Sequence, residues 1–272
     1  MTTANSSSKW SDLAPRVLSA IAMAAIAIVA VALGNPVYLI MIGTVIGLSV
    51  GEFARLMQPE TPRVYILLGI LAAIAIFVTG LGVDIADRSG GLIASRTLFL
   101  LIPPLLGTAL IKRHKLLFLG YCSLIMLAGL GFVVMGPGKV LIWFLLIIIM
   151  SDVAGYFVGR TLGGPKFWPK VSPKKTWSGT IAGWVGALLI GLLGAGLGDF
   201  TPTEALFAPV IAFAGQMGDI AESAIKRKMN VKDSSNLIPG HGGVLDRFDA
   251  MIGASAVLLL LTGAASFMIS AV

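Results

Sequence analysis

Long apolar runs broken by short polar stretches set the pattern of this chain. Nine runs are each long enough to cross about 30 Å of hydrocarbon as a helix. They cover residues 15–33, 36–57, 63–81, 92–111, 116–135, 139–159, 179–198, 204–225 and 248–271. The Ser/Thr-rich start, residues 1–14, reads as a polar tail. The first run has the outline of a secretory signal, ending in Ala32-Leu33-Gly34, but the second follows after only Asn35-Pro36. A retained span is therefore the reading adopted. The pattern predicts an all-α, polytopic integral membrane protein. Its N-terminal transmembrane helices occupy 15–135, and a C-terminal transmembrane region, 136–272, carries two long basic loops at 160–178 and 226–247.

Composition agrees. Of 272 residues, 57% are hydrophobic and 12% charged, with a mean hydropathy of +0.93. That leaves too little polar surface for an ordinary soluble globule. The net charge of +7 does not point to nucleic acid, because the cations sit in short loops between apolar runs. It suits anionic lipid head groups and nucleotide phosphates. With the N-terminus inside, all of the 20 Lys and Arg except Arg88, Arg96 and Lys139 fall on the inner side. This asymmetry predicts an N-in, C-out arrangement. The single cysteine, Cys122, excludes an intrachain disulfide and a Cys-rich metal site.

Acids inside apolar spans are costly and usually functional. Asp152 follows Ser151 in the sixth run, and Gln216, Asp219 and Glu222 are spaced by three in the eighth, so they share a helix face. Asp246 and Asp249, again three apart, begin the ninth. Glu52 and Arg55 read as a local interfacial ion pair. Pro103-Pro104 reads as a kink, and the glycines of the seventh run as close helix packing. The stretch from Ser223 to Asp249, SAIKRKMNVKDSSNLIPGHGGVLDRFD, gathers cations, carboxylates and a Gly-rich turn. Those are the parts of a phosphate–metal site: cations hold phosphate oxygens, glycine admits backbone N–H groups, and carboxylates hold a hard cation. His241 in that turn is suited to bind phosphate or orient an aspartate, but no second N or S ligand is near it for zinc. His114 reads as a surface residue.

The stretch resembles the signature of the phosphatidate cytidylyltransferases, or CDP-diacylglycerol synthases. The pattern is met by Ser223, Lys226, Arg227, Lys232, Asp233, His241, Gly242, Gly243, Asp246, Arg247 and Asp249. A second element of that family is matched by Asp152, Tyr156, Gly159, Arg160, Ser172, Pro173, Lys174, Lys175, Thr176 and Trp177. Ser178 departs from it, since the family often has Glu there. The resemblance runs from Asp152 to the end of the chain and makes 136–272 the catalytic region.

It implies cytidylyl transfer from CTP to phosphatidate, giving CDP-diacylglycerol and pyrophosphate in phospholipid biosynthesis. In that reading Asp219, Asp246, Asp249, Lys226 and Arg227 are catalytic. Ser172, Lys174, Lys175, Thr176, Ser223, Lys232, Asp233, His241, Gly242, Gly243 and Arg247 bind substrate. Mg²⁺ is held by Asp219, Asp246 and Asp249, with room for a second cation such as K⁺. The partners are CTP, phosphatidate and the bilayer of a bacterial-type cytoplasmic (inner) membrane, with the site on the cytoplasmic side and room for a homodimer. Two alternatives stand beside it. A CDP-alcohol phosphotransferase would carry a D-G-x-x-A-R run, absent from this sequence. A cation- or proton-coupled transporter would use Asp152, Asp219 and Glu222 but leaves the His-Gly-Gly turn and the lysine loop unexplained.

Overall fold

The computed structural model describes residues 13–82 and 96–270. Of the expected tail at 1–14, residues 1–12 lie outside these residues, as does the start of the fourth expected span. The helices are α1 (Leu13–Leu33), α2 (Val37–Met57), α3 (Pro62–Gly80), α4 (Ile102–Leu110), α5 (Lys115–Met135), α6 (Lys139–Thr161), α7 (Trp177–Gly196), α8 (Pro202–Ala205), α9 (Phe207–Lys228) and α10 (Leu245–Ser270). Among the described residues six helices, α1, α2, α3, α5, α6 and α7, are long and apolar enough to cross a membrane. α9 and α10 are as long but carry the acidic stripe. The chain is thus an all-α membrane protein. An antiparallel hairpin, β1 (Lys166–Trp168) and β2 (Ser172–Thr176), is added within the first basic loop.

Three local expectations change. Pro103-Pro104 does not kink a long helix: a 3-10 turn, Leu98–Leu101, precedes it and the prolines open α4. Proline is tolerated there because the first turn has no intrahelical use for its missing N–H. α9 runs on to Lys228, so Lys226 stands on the helix one turn beyond Glu222 rather than in a loop. Glu52 is not a surface partner of Arg55. It is buried beneath the second basic loop, where it accepts hydrogen bonds from four donors.

One apolar core joins both halves of the chain. Phe53 of α2 stacks on Phe118 of α5 at 5.3 Å and meets Tyr121 edge-on at 4.9 Å. α5 in turn packs against α10, with Ser255 donating to the Ala128 carbonyl at 2.9 Å. The seventh run's glycines do pack closely, as expected: Gly155 and Gly159 of α6 face Gly179 of α7. α1 lies outermost and is mostly exposed.

The crossing that matters for the site is α9 on α10. A Cβ on Gly218 would collide with the Asp249 carbonyl and lie 3.1 Å from the Gly253 nitrogen. Both obstacles are backbone and cannot swing aside. Gly218→Ala should therefore overpack the crossing by about 1–3 kcal/mol. A melting midpoint in detergent several degrees lower is the expected result, and an unchanged midpoint would show that the two helices can part freely.

Candidate active site

The second basic loop closes on itself through one carboxylate. Asp246, in the first turn of α10, accepts from the backbone N–H groups of Ser234 at 2.8 Å and Gly243 at 2.7 Å through Oδ2. Its Oδ1 receives the Lys226 ammonium at 2.6 Å. An acid at a helix start satisfies N–H groups that have no intrahelical partner. The Ser234 hydroxyl lies 2.9 Å from Asp246 Oδ2 and 3.1 Å from Glu52 Oε2, linking the two acids. Glu52 also accepts from the Ser235 hydroxyl and from the N–H groups of Val244, at 3.1 Å, and Leu245, at 2.8 Å. Gly243 is fixed by this crowding: a Cβ there would fall against the Ser234 hydroxyl and both Glu52 oxygens.

Lys226 sits between two acids, pairing with fully buried Glu222 on its own helix as well as with Asp246. A chain of charge therefore runs Glu222–Lys226–Asp246 and continues through Ser234 to Glu52. His241, at the tip of the turn, lies with Nδ1 2.7 Å from the Ser19 hydroxyl of α1. Its carbonyl accepts two bonds from Arg247, at 2.9 and 2.7 Å. Gly242, with φ of +85°, takes the left-handed conformation the turn requires and passes close to Asp246 and Asp233.

The first basic loop meets α9 at Asp219. Lys175 reaches from β2 to Asp219 at 2.6 Å. The pair lies in a cavity of about 670 Å³ between α6, β2, α7 and α9. Asp152, Arg160, Lys166 and Lys174 line the same cavity. Its volume falls within the range of sites for drug-sized ligands, about 300–1,000 Å³. Thr176 lines it too, but its hydroxyl caps α7 by accepting the Gly179 N–H at 3.2 Å. Ser178, the departure noted above, is built into the same corner, donating to the Gly163 carbonyl. Gln216 ties α9 to α7 and α6, accepting from the Trp184 indole at 3.0 Å and approaching Ser151 at 3.3 Å.

Asp219 and Asp249 flank the Gly218–Gly253 crossing, where α9 meets α10 backbone to backbone. Among the described residues no three acidic, His or Cys side chains converge as a ready-made metal cage. The donors present do fit the looser habit of Mg²⁺, which takes one or two carboxylates and completes its shell with phosphate oxygens and water. Asp219 and Asp249, on either side of the crossing, would be such a pair. Asp246 stands beside them with its oxygens on Lys226, Ser234 and Gly243.

Several expected site residues stand apart from this centre. Arg227 is exposed in the last turn of α9 and Lys232 on the loop surface, Ser172 lies on β2, and Ser223 makes a long 3.4 Å contact to Asp219; Asp233 is exposed but stays beside Gly242. Glu52, Ser234 and Ser19 were not in the expected set. Only Glu52 left a signal, as an acid inside an apolar run.

Comparison with known proteins agrees with the geometry. The model of the Cytidylyltransferase family matches residues 14–264, and the chain belongs to that family. Phosphatidate cytidylyltransferase of Brucella suis biovar 1 (strain 1330) is 48% identical over 129 residues, 45% of this chain and 47% of that protein. The protein of the same name from Bacillus subtilis (strain 168) is 40% identical over 123 residues, 42% of this chain and 44% of that one. That of Staphylococcus haemolyticus (strain JCSC1435) is 29% identical over 204 residues, 71% of this chain and 78% of that one. The chain thus spans about half the length of the Brucella and Bacillus relatives it matches.

Proposed function

We propose that this protein transfers the cytidylyl group of CTP to phosphatidate, releasing pyrophosphate and forming CDP-diacylglycerol. The observation that carries the reading is the Lys175–Asp219 pair, which ties the first basic loop to α9, the helix leading into the second, at the wall of one cavity lined by cations and acids. Family membership and the names of the relatives support it. The transporter alternative has no such support.

In this reading a phosphate oxygen of phosphatidate attacks the α-phosphorus of CTP, and the bond from that phosphorus to the α,β-bridging oxygen breaks, with pyrophosphate leaving. A phosphomonoester has a second pKa near ~6, so little general-base help is needed at neutral pH. The work of the protein is to bring two anions together and to stabilise charge on the leaving group. Lys174, Lys175, Arg160 and Lys166 supply cations around the cavity for the triphosphate. Lys226, fixed by Glu222 and Asp246, presents an ammonium at a set position. Asp219 and Asp249, with Asp246 beside them, are the residues to hold Mg²⁺, which would neutralise phosphate charge. The Lys/Arg asymmetry supports nine spans, N-in and C-out, with both basic loops at the cytoplasmic face of the inner membrane, where CTP is present.

Incorporation of radiolabelled CTP into chloroform-soluble lipid, dependent on phosphatidate and Mg²⁺, is the direct test. No incorporation by a monodisperse detergent preparation would end this reading. A finer test compares two lysines. Lys175→Ala removes a charge-assisted contact and is expected to lower kcat/KM for CTP about 10- to 150-fold. Lys228, exposed at the end of α9, should be nearly silent when changed to Ala. Equal small effects would make the lysine loop a lipid anchor.

A further inference from the structure

A second cavity, of about 630 Å³, lies on the other side of the signature loop, between α2 and α3. It has two unlike ends. Toward the loop it is bounded by Arg55 in the last turn of α2, Tyr65 in the first turn of α3, and Asn236. Away from the loop its walls are apolar, with Leu48, Ile66 and Ile70 half-exposed along it. Among the described residues no hydrogen bond or ion pair engages the Arg55 guanidinium. The one acid nearby, Glu52, is already held by four donors.

The length of the groove matters. From Arg55 back to Thr44, the far lining residue on α2, the helix rises about 16 Å at 1.5 Å per residue. That is close to half of the ~30 Å hydrocarbon thickness, the depth of one leaflet. A cation at the interfacial end of an apolar channel one leaflet deep matches a lipid with an anionic head. The groove also shares Glu52 and Ser235 with the loop that carries Asp246, so a lipid seated there would lie against the reaction centre.

We propose that this groove seats an acyl chain of phosphatidate, with Arg55 holding the phosphate as it docks. The proposal rests on phosphatidate being the lipid substrate. Arg55 and the groove bind; they take no part in the bond changes.

The test uses the full chain in detergent micelles. Leu48→Trp places a reporter in the groove, read against the wild-type emission as background. Phosphatidate brominated on its acyl chains should quench the added emission at several-fold lower mole fraction than phosphatidylcholine brominated alike. In Leu48→Trp/Arg55→Gln that preference should vanish. Equal quenching by the two lipids with Arg55 intact marks an unselective bilayer groove and overturns the proposal. In steady-state assays Arg55→Gln should raise the apparent KM for phosphatidate about 10- to 100-fold. The KM for CTP and kcat should stay unchanged, and Arg55→Lys should restore part of the loss. An unchanged phosphatidate KM, or a fall in kcat alone, also overturns it. Quenching needs neither CTP nor turnover, so the two readings fail separately. Selective quenching in a chain that does not turn over keeps the groove and rejects the reaction; turnover with unselective quenching does the reverse.

Discussion

Asp246→Asn should lower kcat/KM by about 10²- to 10³-fold while the protein still purifies as a monodisperse species. The asparagine keeps one oxygen and replaces the other with a donor. That donor must face either the Lys226 ammonium or the Ser234 and Gly243 N–H groups, since those partners take opposite oxygens of Asp246. Either choice sets donor against donor and leaves Lys226 with Glu222 alone. Breaking one side of a largely buried pair costs about 3–5 kcal/mol, which sets the size of the loss if it is felt in the transition state. The measurement is labelled CTP incorporation across a range of Mg²⁺ concentrations. Near-normal turnover would remove Asp246 and Lys226 from the reaction centre.

Glu52→Ala should have a comparable effect from outside the signature. It strips the acceptor from two backbone N–H groups and two hydroxyls. Each buried donor left unsatisfied costs about 1–3 kcal/mol, so the loop from Ser234 to Leu245 is expected to detach. Two readouts should move together. Activity should fall by about 100-fold or more, and trypsin should cut the loop at Lys232, exposed on it, faster than in the wild-type chain. Glu52→Gln, which keeps one acceptor oxygen, should fall between. A wild-type digestion pattern in Glu52→Ala would show that the loop holds itself in place without α2.

The helices were legible because the bilayer writes them plainly. The runs at 36–57 and 116–135 correspond to Val37–Met57 and Lys115–Met135, since apolar composition and a charged boundary mark a span without knowledge of its neighbours. The chemistry-bearing positions were legible by type: Asp219, Asp246, Lys226 and Lys175 form two ion pairs, Lys175–Asp219 and Lys226–Asp246. What could not be read were relations across the chain. Glu52 lies 182 residues from Ser234, and its spacing to Arg55 invited a local pairing that the fold does not use. The hairpin escaped because Pro165, Pro169 and Pro173 interrupt any alternation around β1 and β2. A cluster of charge reads as a helix end, which puts Lys226 in a loop. Continuing the helix instead places it one turn from Glu222, where the pair can form.

The Ser19–His241 contact has a consequence for how the protein is made. Its partners are 222 residues apart, so α1 leaves the ribosome well before the turn it will touch is synthesised. At ~5–20 residues per second that wait is about 10–45 s. During it α1 is held by the membrane and by its neighbour α2, not by the loop it will finally touch. The His-Gly-Gly turn therefore reaches its complete set of contacts only after the helices from α1 to α9 have been made. Assembly of the reaction centre is a late event in biogenesis, bound up with the arrival of α10, which carries Asp246 and Asp249.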